Sequence, residues 1–399
     1  MIFTTYWFLL FAVVAIVVFR ALPWAAARQG WLALACAVFH YHFAGPAGVK
    51  PIIVLMVLTY FAGLSRRRAA CVAAMVACVI ALCFYKYSLF LIGSAVAPFS
   101  AGLAASLARL ATHAMPGAPP LGVSFFTFEF VHYLFEVRRG GEPIRNPVKF
   151  LLFAIFFPSL VAGPIKRYAQ FLPSLEWASR APFSADDLAQ GLARVGLGFA
   201  KKLLIADQLT LYIDQNQPHF GETGLFGRWL LLVAIAFRIL MDFSGYSDIA
   251  IGCAQILGIR LPENFAWPYG ARDLQQFWQR WHMSLTSWIR DYIYIPLGGS
   301  RRGWARRVIN GLIAFGLCGL WHGAARHYVL WGVYHGVGLG VCATYERWPV
   351  AGAAVSKVFR KEPLAGWVLT QLFSWMGWLL FFYPTAVAVR MAGQLFGVA

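Results

Sequence analysis

The amino-acid sequence predicts an all-α polytopic membrane protein with about 11 transmembrane or re-entrant helices. Of its 399 residues, 60% are hydrophobic and only 13% are charged. Soluble chains run near 45–50% apolar and about 25% charged, and a water-exposed surface could not absorb this much apolar side chain. The apolar residues also fall in runs of roughly membrane-crossing length, parted by short basic clusters. Disorder is excluded by the same composition, and a collagen-like chain by the lack of a triplet period among the 37 Gly.

The formal charge of +18 comes from 34 Lys and Arg against 16 Asp and Glu. Because the basic residues cluster between apolar runs, they read as the positive-inside bias of cytoplasmic loops and not as a nucleic-acid surface. The seven cysteines lie almost entirely within apolar runs and form no CxxC pair. Their spacing predicts small buried hydrophobes, not disulfides or metal ligands.

In chain order, residues 2–19 lack the basic n-region and small-residue cleavage site of a signal peptide, and predict the first span. Further runs follow at 31–44, 51–64, 69 to about 99, 121–137 and 150 to about 163; residues 101–120, rich in Ala, Gly and Pro, predict a surface helix and loop. The loops after the first, third and fifth spans carry nine basic residues (Arg20, Arg28, Arg66, Arg67, Arg68, Arg138, Arg139, Arg145 and Lys149). The loops after the second and fourth carry only Lys50 and Arg109. That asymmetry predicts an extracytoplasmic N-terminus. Beyond Gly163 several runs are too short for the roughly 20 residues that cross a bilayer, which predicts tilted, broken or re-entrant helices surrounded by protein or water. Ser184 with Asp186 and Asp187 predicts the start of an amphipathic, interfacial helix. The whole is read as one domain over residues 1–399: N-terminal helices 1–120, a core 121–345 and C-terminal helices 346–399.

Ionisable residues at membrane depth are costly and default to functional candidates. In the stretch Asp242-Phe243-Ser244-Gly245-Tyr246-Ser247-Asp248, the two carboxylates are six residues apart and would not share a helix face. Structural use is expected there, as pairing with Arg238 or capping of a helix break at Gly245. Residues 271–297 mix Trp278, Trp281, Trp288, Tyr292 and Tyr294 with Arg272, Asp273, Arg280, His282, Arg290 and Asp291. An interfacial aromatic belt would explain the rings but leaves His282 unmotivated. His322 follows a run of apolar and glycine residues and is placed well inside the bilayer. Imidazole suits proton transfer near neutral pH, although a lone His in an apolar segment is more often a hydrogen-bonded core residue. No Ser sits in a GxSxG elbow, and His322 and His327 are five apart, the wrong spacing for a metal pair on one helix face.

Several motifs together resemble the membrane-bound O-acyltransferase family, in the bacterial branch of alginate O-acetyltransferases and the D-alanyl transfer proteins of teichoic acid. They are Phe277-Trp278-Gln279-Arg280-Trp281-His282-Met283-Ser284-Leu285, Trp288-Ile289-Arg290-Asp291-Tyr292-Ile293-Tyr294-Ile295-Pro296-Leu297-Gly298-Gly299, Leu320-Trp321-His322-Gly323 and Trp331-Gly332-Val333-Tyr334-His335-Gly336. Residues 121–128, 161–168 and 242–247 are similar to the same branch. The resemblance implies a ring of tilted helices around a thinned centre, with a tunnel for the acyl donor and a funnel for the acceptor. It implies that His322 is the essential histidine and His282 the second polar position. His335 matches a further histidine of the branch, and Arg280, Asp291, Trp321 and Ser284 are supporting candidates. It implies no bound cofactor or metal, a donor carried as a thioester on coenzyme A or a phosphopantetheine carrier protein, and an extracytoplasmic hydrolase-like partner. The expected location is the inner, cytoplasmic membrane.

The acyl group, acetyl or D-alanyl, stays open. Residues 161–165 and 125–128 resemble the acetyl-transfer members, whereas the length resembles the D-alanyl ones. The expected chemistry is attack by an extracytoplasmic hydroxyl on the thioester, with His322 as general base and His282 positioning the groups and helping the oxyanion. The competing class is a transporter or flippase of a lipid-linked or acylated saccharide that uses the histidines as a proton relay; a third is a non-catalytic scaffold. Ester formation from labelled donor separates the first from both.

Overall fold

The computed structural model describes residues 2–115, 119–345 and 363–398. The start of the expected C-terminal helical segment (residues 346–362) and part of the loop before residue 121 lie outside the described residues. All described regular structure is helical. Ala25–Ser65, Arg68–Val96 and Pro363–Phe382 are each long and apolar enough to cross a membrane, and Tyr6–Ala21 and Pro147–Ser159 are shorter apolar helices. The chain folds as two compact units, residues 1–199 with 246–262 and residues 200–245 with 263–399.

The first unit holds α1 (Tyr6–Ala21), α2 (Ala25–Ser65), α3 (Arg68–Val96), α4 (Ala101–Ala114), α5 (Val123–Arg138), α6 (Pro147–Ile155), α7 (Tyr168–Arg180) and α8 (Ala185–Phe199). The two apolar runs expected at 31–44 and 51–64 are the arms of α2. Its backbone leaves helical geometry at Gly45 (φ 63, ψ 173), next to Pro46, where a glycine tolerates the left-handed φ and the proline removes a helical N–H. Both arms meet α5: the His40 ring lies 5.4 Å from that of Phe126, and Gly63 leaves no room for a Cβ against Tyr133. The core is phenylalanine-rich, with Phe3, Phe8, Phe39, Phe130, Phe153, Phe156 and Phe157 at most 1% exposed. One ion pair lies inside it, Lys166 Nζ to Glu129 Oε1 at 2.5 Å. The predicted start of α8 is present: the Asp187 N–H donates to Ser184 Oγ at 3.1 Å.

The structural use expected of Asp242 and Asp248 is found, as ion pairs and not as the cap of a break at Gly245, where the helix stays intact. It runs unbroken over Leu225–Ile256, its residues divided at Gly245 between the two units. Both carboxylates have basic partners beside the helix, so no break is needed to satisfy them. Asp248 pairs with Arg194 at 3.1 Å and Asp242 with Lys202 at 2.8 Å. The expected Arg238 partnership is therefore corrected.

The second unit adds α9 (Asp207–Asn216), α10 (Leu225–Ile256, through Gly245), α11 (Leu274–Arg280), α12 (Met283–Ile289), α13 (Trp304–His322), α14 (Arg326–Tyr345), α15 (Pro363–Phe382) and α16 (Thr385–Leu395). α13 and α14 form an antiparallel hairpin that closes at glycines. A Cβ on Gly319 would collide with the Tyr328 carbonyl oxygen, and one on Gly332 with that of Phe315. Such backbone contact is the usual use of small residues between membrane helices. α15 returns along α14, held where Tyr334 Oη donates to the Phe373 carbonyl (2.9 Å) and the His327 Nδ1–H to that of Leu380 (3.0 Å). The side chains of Trp367 and Gln371 donate to the carbonyls of Tyr269 and Ala271, which fixes the irregular segment that leads into α11.

Candidate active site

The polar, aromatic stretch after residue 263 is two seven-residue helices, α11 and α12, parted at Trp281–His282. Asp273 caps the first through its side chain, accepting from the Gln276 N–H at 2.7 Å. At the junction His282 takes a left-handed conformation (φ 44, ψ 53). That is costly for a residue with a Cβ and persists only where the surroundings enforce it. The enforcement comes from Asn264. Its backbone carbonyl accepts from the Met283 N–H (2.9 Å). Its side-chain oxygen receives the Ser284 hydroxyl (2.9 Å), the Ser284 N–H (3.4 Å) and His282 Nδ1 (3.0 Å). A backbone N–H can only donate, so the Asn264 atom facing it is oxygen, and His282 Nδ1 must carry the proton. His282 Nε2 is then the lone-pair nitrogen; it is buried and meets no hydrogen-bond partner among the described residues.

His322 closes α13 as its last residue, followed by the extended Gly323. Its imidazole is walled by Trp321 (4.8 Å between ring centroids), Trp331 (5.2 Å) and Phe381 (5.1 Å). Trp321 also faces His282 at 6.3 Å. The two spacings keep the imidazole centroids within about 11 Å of one another, and both rings pack on the same indole. His335 also packs on Trp331 (5.0 Å), fully buried among rings that include Trp278, also at 5.0 Å. Neither ring nitrogen of His335 has a hydrogen-bond partner among the described residues. Gly377 makes room for it, since a Cβ there would lie 2.9 Å from His335 Nε2.

The histidines expected at the centre are thus brought into one aromatic cluster inside the second unit, with Trp321 and Ser284 against them. Two supporting candidates stand apart from it. Arg280 is half-buried beside Gly270, its carbonyl accepting the Ala266 N–H. Asp291 pairs with the exposed Arg290 at 2.8 Å on the π-helical turn Arg290–Tyr294. Asn264 falls in the polar stretch that opens at Glu263 but drew no role from the sequence; only its burial and three incoming donors reveal one.

A cavity of about 380 Å³ runs beside α13. Its lining includes Arg290 and Arg307 together with Trp278, Phe315 and Cys318. Cys318 is one helical turn before His322. The cavity's lining on α13 runs from Arg307 to Cys318, about 17 Å of helix, and Trp278, which packs on His335, forms part of its wall.

Residues 137–383 match the sequence profile of the MBOAT, membrane-bound O-acyltransferase, family. The chain is 37% identical over 283 residues to a probable alginate O-acetylase of Pseudomonas putida, covering 69% of this chain and 55% of that protein. It is 30% identical over 287 residues to a peptidoglycan O-acetyltransferase of Helicobacter pylori (66% and 54% covered). It is 32% identical over 251 residues to a teichoic acid D-alanyltransferase of Bacillus subtilis (59% and 64% covered). The chain spans about half the length of the alginate and peptidoglycan relatives it matches.

Proposed function

Because the chain belongs to the membrane-bound O-acyltransferase family, we propose that it moves an acyl group, acetyl or D-alanyl, from a cytoplasmic thioester to an extracytoplasmic hydroxyl. The observation that carries this reading is the pair of histidines that both pack on Trp321, one with its tautomer set by Asn264 and its Nε2 left open. The His322 imidazole takes the proton of the acceptor hydroxyl as its oxygen bonds to the thioester carbonyl carbon. When the tetrahedral intermediate collapses, the C–S bond breaks and the leaving sulfur recovers that proton from His322. Atoms and charge balance without a metal or redox partner.

The expected oxyanion role for His282 changes. With Nδ1–H committed to Asn264, Nε2 accepts and does not donate. His282 instead holds a neighbouring hydroxyl of the acceptor, which turns the reacting one toward His322. The developing oxyanion falls to an N–H donor of the aromatic wall, for which the Trp331 indole N–H is available: it is buried against His322 and has no acceptor among the described residues.

The cavity between Arg290, Arg307 and Cys318 suits a narrow thioester arm, its mouth basic and its inner wall apolar. The donor is a coenzyme A or phosphopantetheine thioester, and the arginines meet its phosphate or an acidic carrier protein. The reading includes about 11 spanning or re-entrant helices in the cytoplasmic membrane, an extracytoplasmic N-terminus and a hydrolase-like partner that receives or relays the acyl group. The test is direct: purified protein in nanodiscs receives labelled acyl thioester and a polyhydroxyl acceptor. Ester product that disappears in His322→Ala supports the reading. Wild-type protein that forms no ester while moving saccharide across the bilayer would overturn it in favour of transport.

A further inference from the structure

Between them, α14 and α15 enclose a groove that acyl transfer does not use. Its volume is about 990 Å³, at the upper end of the roughly 300–1,000 Å³ of small-molecule sites. α14 supplies Val337, Val341 and Tyr345, each four residues from the next and so on one face of the helix. α15 supplies a facing stripe from Pro363 to Met376. The floor forms where both helices meet α11: a Cβ on Gly338 would lie 2.5 Å from Phe373 and 2.7 Å from Leu274. No residue of this groove lines the cavity of Arg290 and Arg307, toward which α14 turns Gly336, Gly340 and Ala343 instead.

The lining has the chemistry of an amphiphile's site. Val337, Val341 and Leu369 are 49%, 58% and 54% exposed, and α15 is long and apolar enough to cross a membrane. Aliphatic side chains so exposed on such a helix pair meet lipid tails, so the groove opens sideways into the bilayer. The α15 stripe covers about 20 Å of helix, more than the ~15 Å that one leaflet contributes to the hydrocarbon core. Polar groups gather in Arg272, Asp273 and Gln276. The Asp273 carboxylate is committed, accepting the Gln276 backbone N–H at 2.7 Å and its side-chain Nε2–H at 2.6 Å. Thr370 gives its hydroxyl to the Gly366 carbonyl at 2.8 Å. The Arg272 side chain is exposed and makes no ion pair among the described residues. A single unanswered guanidinium on an apolar groove suits one phosphate with hydrocarbon attached, because the planar fork binds phosphate through two parallel N–H bonds. A sugar or nucleotide would lose its hydrogen bonds to water against the apolar remainder of the wall.

We propose that this groove holds one resident phospholipid, its tails between α14 and α15 and its phosphate on Arg272. The lipid is a bound component of the protein and not the acyl acceptor, so the site stands whether or not the chain transfers acyl groups. Phe373 ties it to the histidine cluster. That ring lines the groove, stacks on Tyr334 at 4.1 Å and lies 5.6 Å from His335. Tails that cover Phe373 therefore support this wall of the cluster from the membrane side.

The test depletes the full chain of lipid in mild detergent and titrates it with dioleoylphosphatidylglycerol or with dioleoylglycerol, which lacks the phosphate. Native mass spectrometry counts the bound molecules. Wild type takes one phosphatidylglycerol and holds it more tightly than dioleoylglycerol. Arg272→Gln raises the Kd for phosphatidylglycerol roughly ten- to a hundredfold, the worth of a charged hydrogen bond, and leaves that for dioleoylglycerol within about twofold. Arg272→Lys, which keeps a point charge but not the fork, recovers part of the loss. Val341→Trp fills the groove and weakens both lipids by at least about tenfold through lost apolar burial, whereas Ile53→Trp, at an exposed site on α2, changes neither. Phosphatidylglycerol with a diazirine in its tail labels wild type within Val337–Tyr345 and Pro363–Met376. The proposal is overturned if wild type binds no lipid one to one, as when other residues of the chain or a second copy fill the groove. It is equally overturned if the label falls elsewhere, if Arg272→Gln or Val341→Trp binds like wild type, or if Arg272→Gln weakens both lipids alike, as a purely structural residue would cause.

Discussion

The two units bury their polar groups differently, although His40 Nε2 in the first also lacks a hydrogen-bond partner among the described residues. In the first, Lys166 and Glu129 lie in a phenylalanine core, each at most 4% exposed, and answer one another at 2.5 Å. His132 nearby accepts the Tyr168 N–H through Nε2. In the second, His282 Nε2, both nitrogens of His335, the Trp331 indole N–H and Arg238 Nε are buried without partners among the described residues. The second unit also carries the left-handed His282. A satisfied buried pair rigidifies, whereas an unsatisfied cluster costs stability and persists where a substrate completes it. The comparison supports the first arrangement as scaffold and the second as the proposed reacting centre.

The sharpest way to break this contrast is at the scaffold pair. Lys166→Met strands a buried carboxylate and should lower stability by about 3–5 kcal/mol, and Lys166→Met with Glu129→Gln should regain most of it. Thermal unfolding in detergent checks both. Transfer per folded molecule should stay at the wild-type level; if it fell with the stability restored, the pair would belong to the mechanism. At the reacting centre the effects reverse. His322→Ala should reduce transfer by at least about a hundredfold, the usual worth of a general base, with the unfolding temperature little changed. A loss that tracked unfolding would make His322 structural.

Smaller effects sharpen the picture. Asn264→Ala removes the acceptor that sets the His282 tautomer and leaves buried donors unpaired, at a cost of about 1–3 kcal/mol. Transfer should fall on the order of tenfold, and Asn264→Ala combined with His282→Ala should be no worse than His282→Ala alone. Additive losses in that cycle would show that Asn264 acts elsewhere. Asp291→Asn should change little, because its partner Arg290 is largely exposed and such pairs contribute about 0–1 kcal/mol. A change in transfer beyond about fivefold would move Asp291 into the reacting centre.

Much of this was legible in the residues. Apolar runs and basic clusters are read one residue at a time, so the helical membrane character needed no structure. The Trp-His-Gly and Arg-Trp-His segments pointed to both histidines through their resemblance to a family's motifs, since position alone left His322 as readily a hydrogen-bonded core residue. The Asp242 and Asp248 partners were misread. Local spacing favoured Arg238, four residues from Asp242, but Lys202 and Arg194 come from the chain that precedes the helix, and spacing along one helix carries no information about its neighbours. The break expected at Gly245 failed for the same reason: glycine permits a break, and packing on both sides of Leu225–Ile256 supplies no need for one.

By itself, then, the sequence determined the class of molecule and the helical elements of the N-terminal half, because hydropathy and charge are properties of residues and short runs; it singled out the two histidines through the motifs they share with a family. Only the tertiary structure decided which nitrogen of His282 is open, that Asn264 commits the other, that α2 bends at Gly45 and that Arg238 is left without a carboxylate. Each of these depends on which groups from distant parts of the chain satisfy a given hydrogen bond or charge. That accounting closes only when the helices are packed, since a buried donor, acceptor or ion is answered by whatever lies across from it in space.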